Sequence, residues 1–223
     1  IALKCAEAGL EDIIVLEHNK KILDENQSLR NSGVLHAGIY YDHRITPRKA
    51  ALCPRGNEML YQFSQQHHVS QRTAKLVVAT NAMEEEYLED VYRIAAENKV
   101  PGIQKLDLHQ IQRLEQNVRG SAALYFPTSG IIDAVKLIST LARLVAEKGV
   151  HIVTGNRIVN LEASPTKITV TTTTETETSS FTTDIFVNSA GLYADELARM
   201  VNPASPYEIF PVRGESAKFY TTR

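Results

Sequence analysis

The sequence predicts an α/β fold, and three observations predict it. A helical pattern over residues 1–9 runs into a short continuous apolar stretch at 13–16 (IIVL), the order of a helix feeding a buried parallel strand. A similar order returns at 134–153, where an amphipathic helix ends at a glycine before VHIV. A third apolar run at 185–188 (IFVN) leads straight into SAG, the kind of strand end at which a ligand meets the carboxyl edge of a parallel sheet.

The elements follow in order. IALKCAEAG reads as a helix with Ile1, Leu3 and Ala6 apolar and Gly9 at the C-terminal cap. Glu17 closes the strand that comes next. The chain therefore opens on the second half of a strand–turn–helix–strand unit. In nucleotide-binding units of this type the turn carries glycines that admit a pyrophosphate, and an acid ending the second strand binds a ribose hydroxyl. Glu17 stands at that acid position; a solvated strand-end carboxylate is the competing reading. Residues 30–41, RNSGVLHAGIYY, fit neither the helix nor the strand period. A loop this rich in small residues lets something large approach the backbone.

Residues 47–67 read as a helix with an uneven apolar face of Ala50, Leu52, Cys53, Met59, Leu60 and Phe63, and His67 and His68 are solvated at its end. KLVVAT at 75–80 is a strand. Asn81 with Glu84 forms a capping box that opens a helix to about residue 98, and Asp107 caps a short helix through Leu114. Residues 124–127 are a brief extended segment, and Asp133 caps the helix that Gly149 ends. Strands are expected at 150–153, 158–161 and 168–174. The threonine-rich run TVTTTTETETSSFTT folds most simply as a hairpin with an exposed threonine face, since its near lack of proline argues against a glycosylated stalk.

Composition excludes several classes. A hydrophobic content of 43% with 22% charged residues describes an ordinary globular chain, and a net charge of -2 gives no electrostatic case for nucleic acid. No apolar run is long enough to span a bilayer. Cys5 and Cys53 lack metal-ligand spacing and read as reduced, packed thiols, so no metal site is expected.

Taken together, VLE, SLRNSGVLHAGIYY, FPTSGIID before a helix, GVHIVTGNRIVNLE, NSAGLYAD and FPVRGE resemble the FAD-dependent oxidoreductases of the D-amino-acid oxidase and glycine oxidase superfamily. RNSGVLHAGIYY with NSAGLYAD and PVRGE is most similar to the L-2-hydroxyglutarate dehydrogenases and oxidases. The resemblance implies an FAD-binding Rossmann-like domain (1–70 and 128–203) interleaved with a smaller α+β substrate domain (71–127 and 204–223). Both are expected to be incomplete, because the Gly-rich loop and the C-terminal third of the family fall outside this chain. It implies FAD as cofactor, with Glu17 on the adenosine ribose and Ser28, Arg30, Asn31, Ser32 and Gly33 along the flavin and phosphates. Ile158 would present backbone to the adenine, and Ala190 and Gly191 would pass close to the dinucleotide. Arginine and hydroxyl groups suit phosphate charge, and glycine permits backbone approach.

The implied reaction is hydride transfer from the α carbon of a 2-hydroxy acid to FAD, with L-2-hydroxyglutarate to 2-oxoglutarate as the leading pair. His36 is the candidate base toward the substrate hydroxyl, against a packed structural histidine. Arg213 either faces a substrate carboxylate or pairs with Glu215. Amine oxidation of the glycine or sarcosine oxidase type and a non-catalytic nucleotide-binding fragment are the rival functions. The electron acceptor is left open among oxygen, a quinone and a carrier protein. The expected placement is cytoplasmic or peripheral to the inner membrane.

Overall fold

A computed structural model describes residues 1–23 and 26–215, with Arg72 described in its backbone alone. In chain order the elements are α1 (Ala2–Glu7), β1 (Ile14–Glu17), β2 (Val34–Leu35), α2 (Pro47–Gln66), β3 (Gln71–Ala79), α3 (Ala82–Glu97), β4 (Gln104–Asp107), α4 (Leu108–Leu114), β5 (Ala122–Ile132), α5 (Ala134–Glu147), β6 (His151–Thr154), β7 (Arg157–Ala163), β8 (Ile168–Thr173), β9 (Thr178–Thr183) and α6 (Ala194–Val201). They form two compact units, one of residues 1–27 with residues from 145 onward, the other of residues 28–144.

In the first unit β1 and β6 pair in parallel, from Ile14 opposite His151 to Glu17 opposite Thr154. Both strands are reached through glycine-terminated helices. Gly9 donates to the Ala6 carbonyl and Leu10 to that of Cys5; after α5, Gly149 donates to Ala146 and Val150 to Val145. Both glycines hold positive φ, +87° and +78°, the left-handed cap in which glycine carries no Cβ penalty. The threonine-rich run forms the expected hairpin of β8 and β9, and β7 extends it into an antiparallel sheet. Its inner face is more buried than a threonine run suggests. Val170 pairs with Phe181 and Thr172 is buried, while Leu161, Val170 and Leu197 of α6 form the core, with Leu16, Ile158 and Ala190 packed around it.

The strand expected at 185–188 does not form: that backbone joins no ladder among the described residues. Phe186 packs against the core, but Ile185 and Val187 are 64% and 49% exposed, so an apolar run without a covering layer stays unpaired.

In the second unit β5 is the central strand, with β3 along one side and β2 and β4 sharing the other. Its side chains alternate. Leu124 and Phe126 pack under α3 with Leu88, Val91 and Ala95; Ala123 and Tyr125 pack with Ile111 of α4. Burying Phe126 alone contributes roughly 1.5–3 kcal/mol. The sequence suggested only a brief extended segment at 124–127, and a proline inside a central strand removes a ladder donor. The structure resolves the conflict with a register break between β3 and β5. Residues 127–129 of β5 stand opposite Ala74 alone, which holds φ +87°, so Pro127 falls in the bulged stretch of β5 between the Lys75–Phe126 and Thr73–Gly130 pairs, where no ladder N–H is required.

Two further expectations change in detail. Asn81 caps α3 by accepting from the Glu84 N–H at 3.0 Å, but the Glu84 carboxylate accepts from the N–H and hydroxyl of Thr80, so the box closes one residue early. In α2 the buried positions are Ala50, Asn57 and Ser64, while Leu52 and Met59 are exposed. The helix turns Asn57 inward, where its amide reaches two backbone carbonyls. Asp107 and Asp133 cap α4 and α5 as expected.

Packing divides the chain at 27/28 and 144/145. The physical reason is β5, whose ladder ties 34–35, 71–79 and 104–107 into one sheet. Residues 216–223, the end of the expected substrate domain, lie outside the described residues.

Candidate active site

The first unit gathers Glu17, Ile158, Ala190 and Gly191 around one end of its parallel strand pair. Glu17 is the last residue of β1, as the sequence suggested. Its Oε1 accepts from the backbone N–H and side-chain amide of Asn19, at 2.8 and 3.0 Å, and no donor among the described residues reaches Oε2. The Glu17 carbonyl accepts from Asn156, and the Asn19 carbonyl from Gly155, which locks the turn after β1 to the turn after β6. Ile158 follows on β7 and packs in the same cluster as Leu16 and Ala190. The Ala190 N–H donates to Asn188 Oδ1, and Gly191 opens a single 3-10 turn at φ +58° with open space where a Cβ would project. The His18 and Tyr193 rings lie stacked, 6.1 Å apart.

In the second unit residues 28–33 form a compact turn. Asn31 Nδ2 donates to the Ser28 carbonyl at 2.6 Å, and its Oδ1 accepts from the Gly33 N–H at 2.8 Å. Ser28, Arg30, Asn31 and Ser32 are exposed, and no carboxylate among the described residues pairs with Arg30. Gly33 differs from its neighbours, because the fold itself demands it. Its φ is +66°, and a Cβ would lie 2.8 Å from the carbonyl oxygen of Ile132, whose N–H bonds the Gly33 carbonyl.

His36 follows β2. Its carbonyl accepts from Asn57 Nδ2 at 3.1 Å and from the Cys53 thiol at 3.3 Å, while the imidazole lies 6.3 Å from the Tyr41 ring. Burial, and secondarily the Lys75 ammonium, lower the imidazole's pKa, so it is neutral near pH 7. The ring opens on a cleft of about 380 Å3 lined by His36, Tyr41, Arg48, Lys49, Leu52 and Cys53. Burial also raises the Cys53 thiol above its ordinary value, so it stays protonated and donates. The sequence pointed to neither Arg48, Lys49 nor Asn57. The one signal was an asparagine amid the apolar positions of α2.

Arg213 is highly exposed and pairs with Glu215 at 3.3 Å. Such a pair is worth little, the usual lot of surface ion pairs. Among the described residues no group of three or more His, Cys, Asp or Glu side chains is placed to hold a metal, and no helix is long and apolar enough to cross a membrane.

Along most of its length the chain is similar to known proteins. It is 28% identical over 213 residues to the L-2-hydroxyglutarate dehydrogenase of Indibacter alkaliphilus, covering 95% of this chain and 52% of that protein. It is 30% identical over 210 residues to the mitochondrial L-2-hydroxyglutarate dehydrogenase of Homo sapiens, covering 90% and 45%. The chain thus spans about half the length of the curated relatives it matches. Among solved structures it is similar to dithionite-reduced L-alpha-glycerophosphate oxidase from Mycoplasma pneumoniae with FAD bound, at a TM-score of 0.78 and 26% identity, covering 90% of this chain and 53% of that one. Glycine oxidase from Geobacillus kaustophilus shares the fold at a TM-score of 0.75 and 16% identity, covering 90% and 54%. Residues 1–223, the whole chain, match the family DAO, FAD dependent oxidoreductase, and the chain belongs to that family.

Proposed function

We infer that the whole protein oxidises a 2-hydroxy acid with FAD, and that L-2-hydroxyglutarate, oxidised to 2-oxoglutarate, is its substrate. The observation that carries this reading is His36: a neutral imidazole with its backbone fixed, opening on a cleft lined by Arg48 and Lys49. The dehydrogenases named above support the choice of substrate.

The donors present fit FAD. Glu17 Oε2 has no donor among the described residues and suits a ribose hydroxyl; Gly191 leaves open space at the start of its 3-10 turn; Ser28, Arg30 and Ser32 offer hydroxyls and a guanidinium to phosphate oxygens. Asn31 shapes the turn that displays them, and Ile158 and Ala190 offer backbone. Gly33 holds the turn against Ile132. In this reading residues 1–70 and 128–203 serve the cofactor, and 71–127 and 204–223 the substrate.

When bound, FAD supplies a two-electron acceptor for the hydride leaving the substrate's α carbon. His36 accepts the hydroxyl proton at its unprotonated ring nitrogen and keeps it as imidazolium until solvent removes it. Asn57 and Cys53 hold the backbone that aims the ring. A substrate carboxylate at Arg213 would have to displace Glu215. Placement of the whole protein, in the cytoplasm or at the periphery of the inner membrane, belongs to the same reading.

The test is anaerobic flavin bleaching in the full-length holoenzyme. L-2-hydroxyglutarate is expected to bleach the flavin while glycine and sarcosine leave it oxidised. Bleaching by glycine alone would move the protein to the amine oxidases, and a purified protein without flavin would make it a nucleotide-binding fragment.

A further inference from the structure

The first turn of α2 carries charges that its own helix disfavours. Arg48 and Lys49 follow Pro47 at the N-terminal end, where the helix dipole is positive and acidic side chains are the favoured ones; no acid is present in that turn. Neither cation has an ion-pair partner among the described residues, and no carboxylate lines the cleft they share with His36. Lys49 instead stands 5.8 Å from the centre of the Tyr41 ring, and Lys75, which acts on the His36 imidazole, stands 4.8 Å from that of Tyr40. Positive potential therefore converges on one concave site, and an anion there would relieve the repulsion.

The rest of the lining narrows the anion's chemistry. Leu52, 64% exposed, and Cys53 stand one helical turn after Arg48 and Lys49 and line the same cleft, and the Cys53 thiol bonds the His36 carbonyl, so apolar surface follows the cations toward His36. A volume of about 380 Å3 lies at the small end of the roughly 300–1,000 Å3 usual for ligand sites. A small acid with a short methylene chain between an anionic end and a reacting end matches this sequence of surfaces.

We propose that Arg48 and Lys49 bind the carboxylate remote from the hydroxyl in a 2-hydroxydicarboxylic acid, with Leu52 and Cys53 along its methylenes, and so select dicarboxylates over monocarboxylates. This rests on the reading of His36 as the base. It adds the residues that set chain length and charge.

Two measurements on the full-length holoenzyme test it. In the first, glutarate and butyrate are titrated and binding is followed through the flavin spectrum, which needs no turnover. Glutarate is expected to bind far more tightly than butyrate, and Arg48→Gln with Lys49→Gln is expected to weaken glutarate by about ten- to a hundredfold, the scale of lost hydrogen bonds to a charged group. Arg48→Lys in an otherwise unchanged protein is expected to recover most of the affinity lost in Arg48→Gln. In the second, the preference for L-2-hydroxyglutarate over L-2-hydroxybutyrate in anaerobic flavin reduction is expected to collapse by a similar factor in the double variant. Equal binding of glutarate and butyrate by the unsubstituted protein would overturn the proposal. So would unchanged glutarate affinity in the double variant, loss of its FAD, or displacement of glutarate by inorganic phosphate at comparable concentration. A protein that selects glutarate but is not bleached by L-2-hydroxyglutarate keeps the cleft and refutes the reaction.

Discussion

Asn57 donates its side-chain amide both to the carbonyl of His36, at 3.1 Å, and to the carbonyl of Thr128, at 2.9 Å. One buried residue of α2 thereby fixes the backbone of the candidate base to the central strand of its sheet. The Tyr61 hydroxyl joins it on Thr128, also at 2.9 Å. Asn57 thus anchors the backbone of His36.

Asn57→Ala is expected to lower stability by roughly 1–3 kcal/mol, the loss of two hydrogen bonds at about 0.5–1.5 kcal/mol each, with Cys53 and Tyr61 still serving the two carbonyls. Urea unfolding of the full-length protein measures it. A change under about 0.5 kcal/mol, the scatter of ordinary surface substitutions, would deny Asn57 this role.

His36→Asn is expected to keep FAD bound, because asparagine still packs and hydrogen-bonds. Flavin reduction by L-2-hydroxyglutarate should fall about a hundredfold or more, the scale of a lost general base. Anaerobic stopped-flow spectroscopy reads this without the acceptor. Reduction near the unsubstituted rate would make His36 structural.

The pH dependence follows from the direction of the His36 shift. The folded imidazole binds its proton less readily than the unfolded one, so its contribution to stability is fully present above the ordinary histidine pKa of about 6.5 and is lost as pH falls through the lower folded value. The acid limb of flavin reduction should accordingly lie below about pH 6.5, since only the neutral ring accepts the proton. Lys75→Gln removes the second cause of the shift and should move that limb to higher pH. A limb that ignores Lys75 would separate the titrating group from His36.

Gly33→Ala and Gly149→Ala are a matched pair. Both glycines hold positive φ, but a Cβ at Gly33 meets the Ile132 carbonyl at 2.8 Å, while at Gly149 nothing lies within 4 Å. Gly149→Ala should cost about 1–2 kcal/mol, the left-handed penalty alone. Gly33→Ala should cost more, and thermal unfolding of the two variants gives the order. Equal costs would show that the backbone at Gly33 moves aside.

Glu17→Gln is expected to weaken FAD binding by the full-length protein about ten- to a hundredfold, the scale of a hydrogen bond to a charged group. Flavin release during dialysis, followed by fluorescence, measures it. Unchanged retention would return Glu17 to a turn residue serving Asn19.

What the sequence determined by itself is local. Gly9 and Gly149 end their helices, Asp107 and Asp133 begin theirs, and Glu17 ends β1, because each signal acts within a few residues of the backbone groups it satisfies. The motif order, from VLE to PVRGE, was equally legible, and it carried the family. What the tertiary structure alone decided depends on partners far along the chain. β5 became an 11-residue central strand despite Pro127 because β3 pairs with it on both sides of a bulge at 127–129, a partner that lies more than 40 residues away along the chain. The apolar run 185–188 stayed out of every described sheet because apolar character makes a strand only where a partner offers its ladder. The cleft beside His36 joins a loop to the first turn of a helix, and Asn57 reaches Thr128 across 71 residues. No periodicity encodes such distances; they are set when packing brings distant carbonyls and cations together.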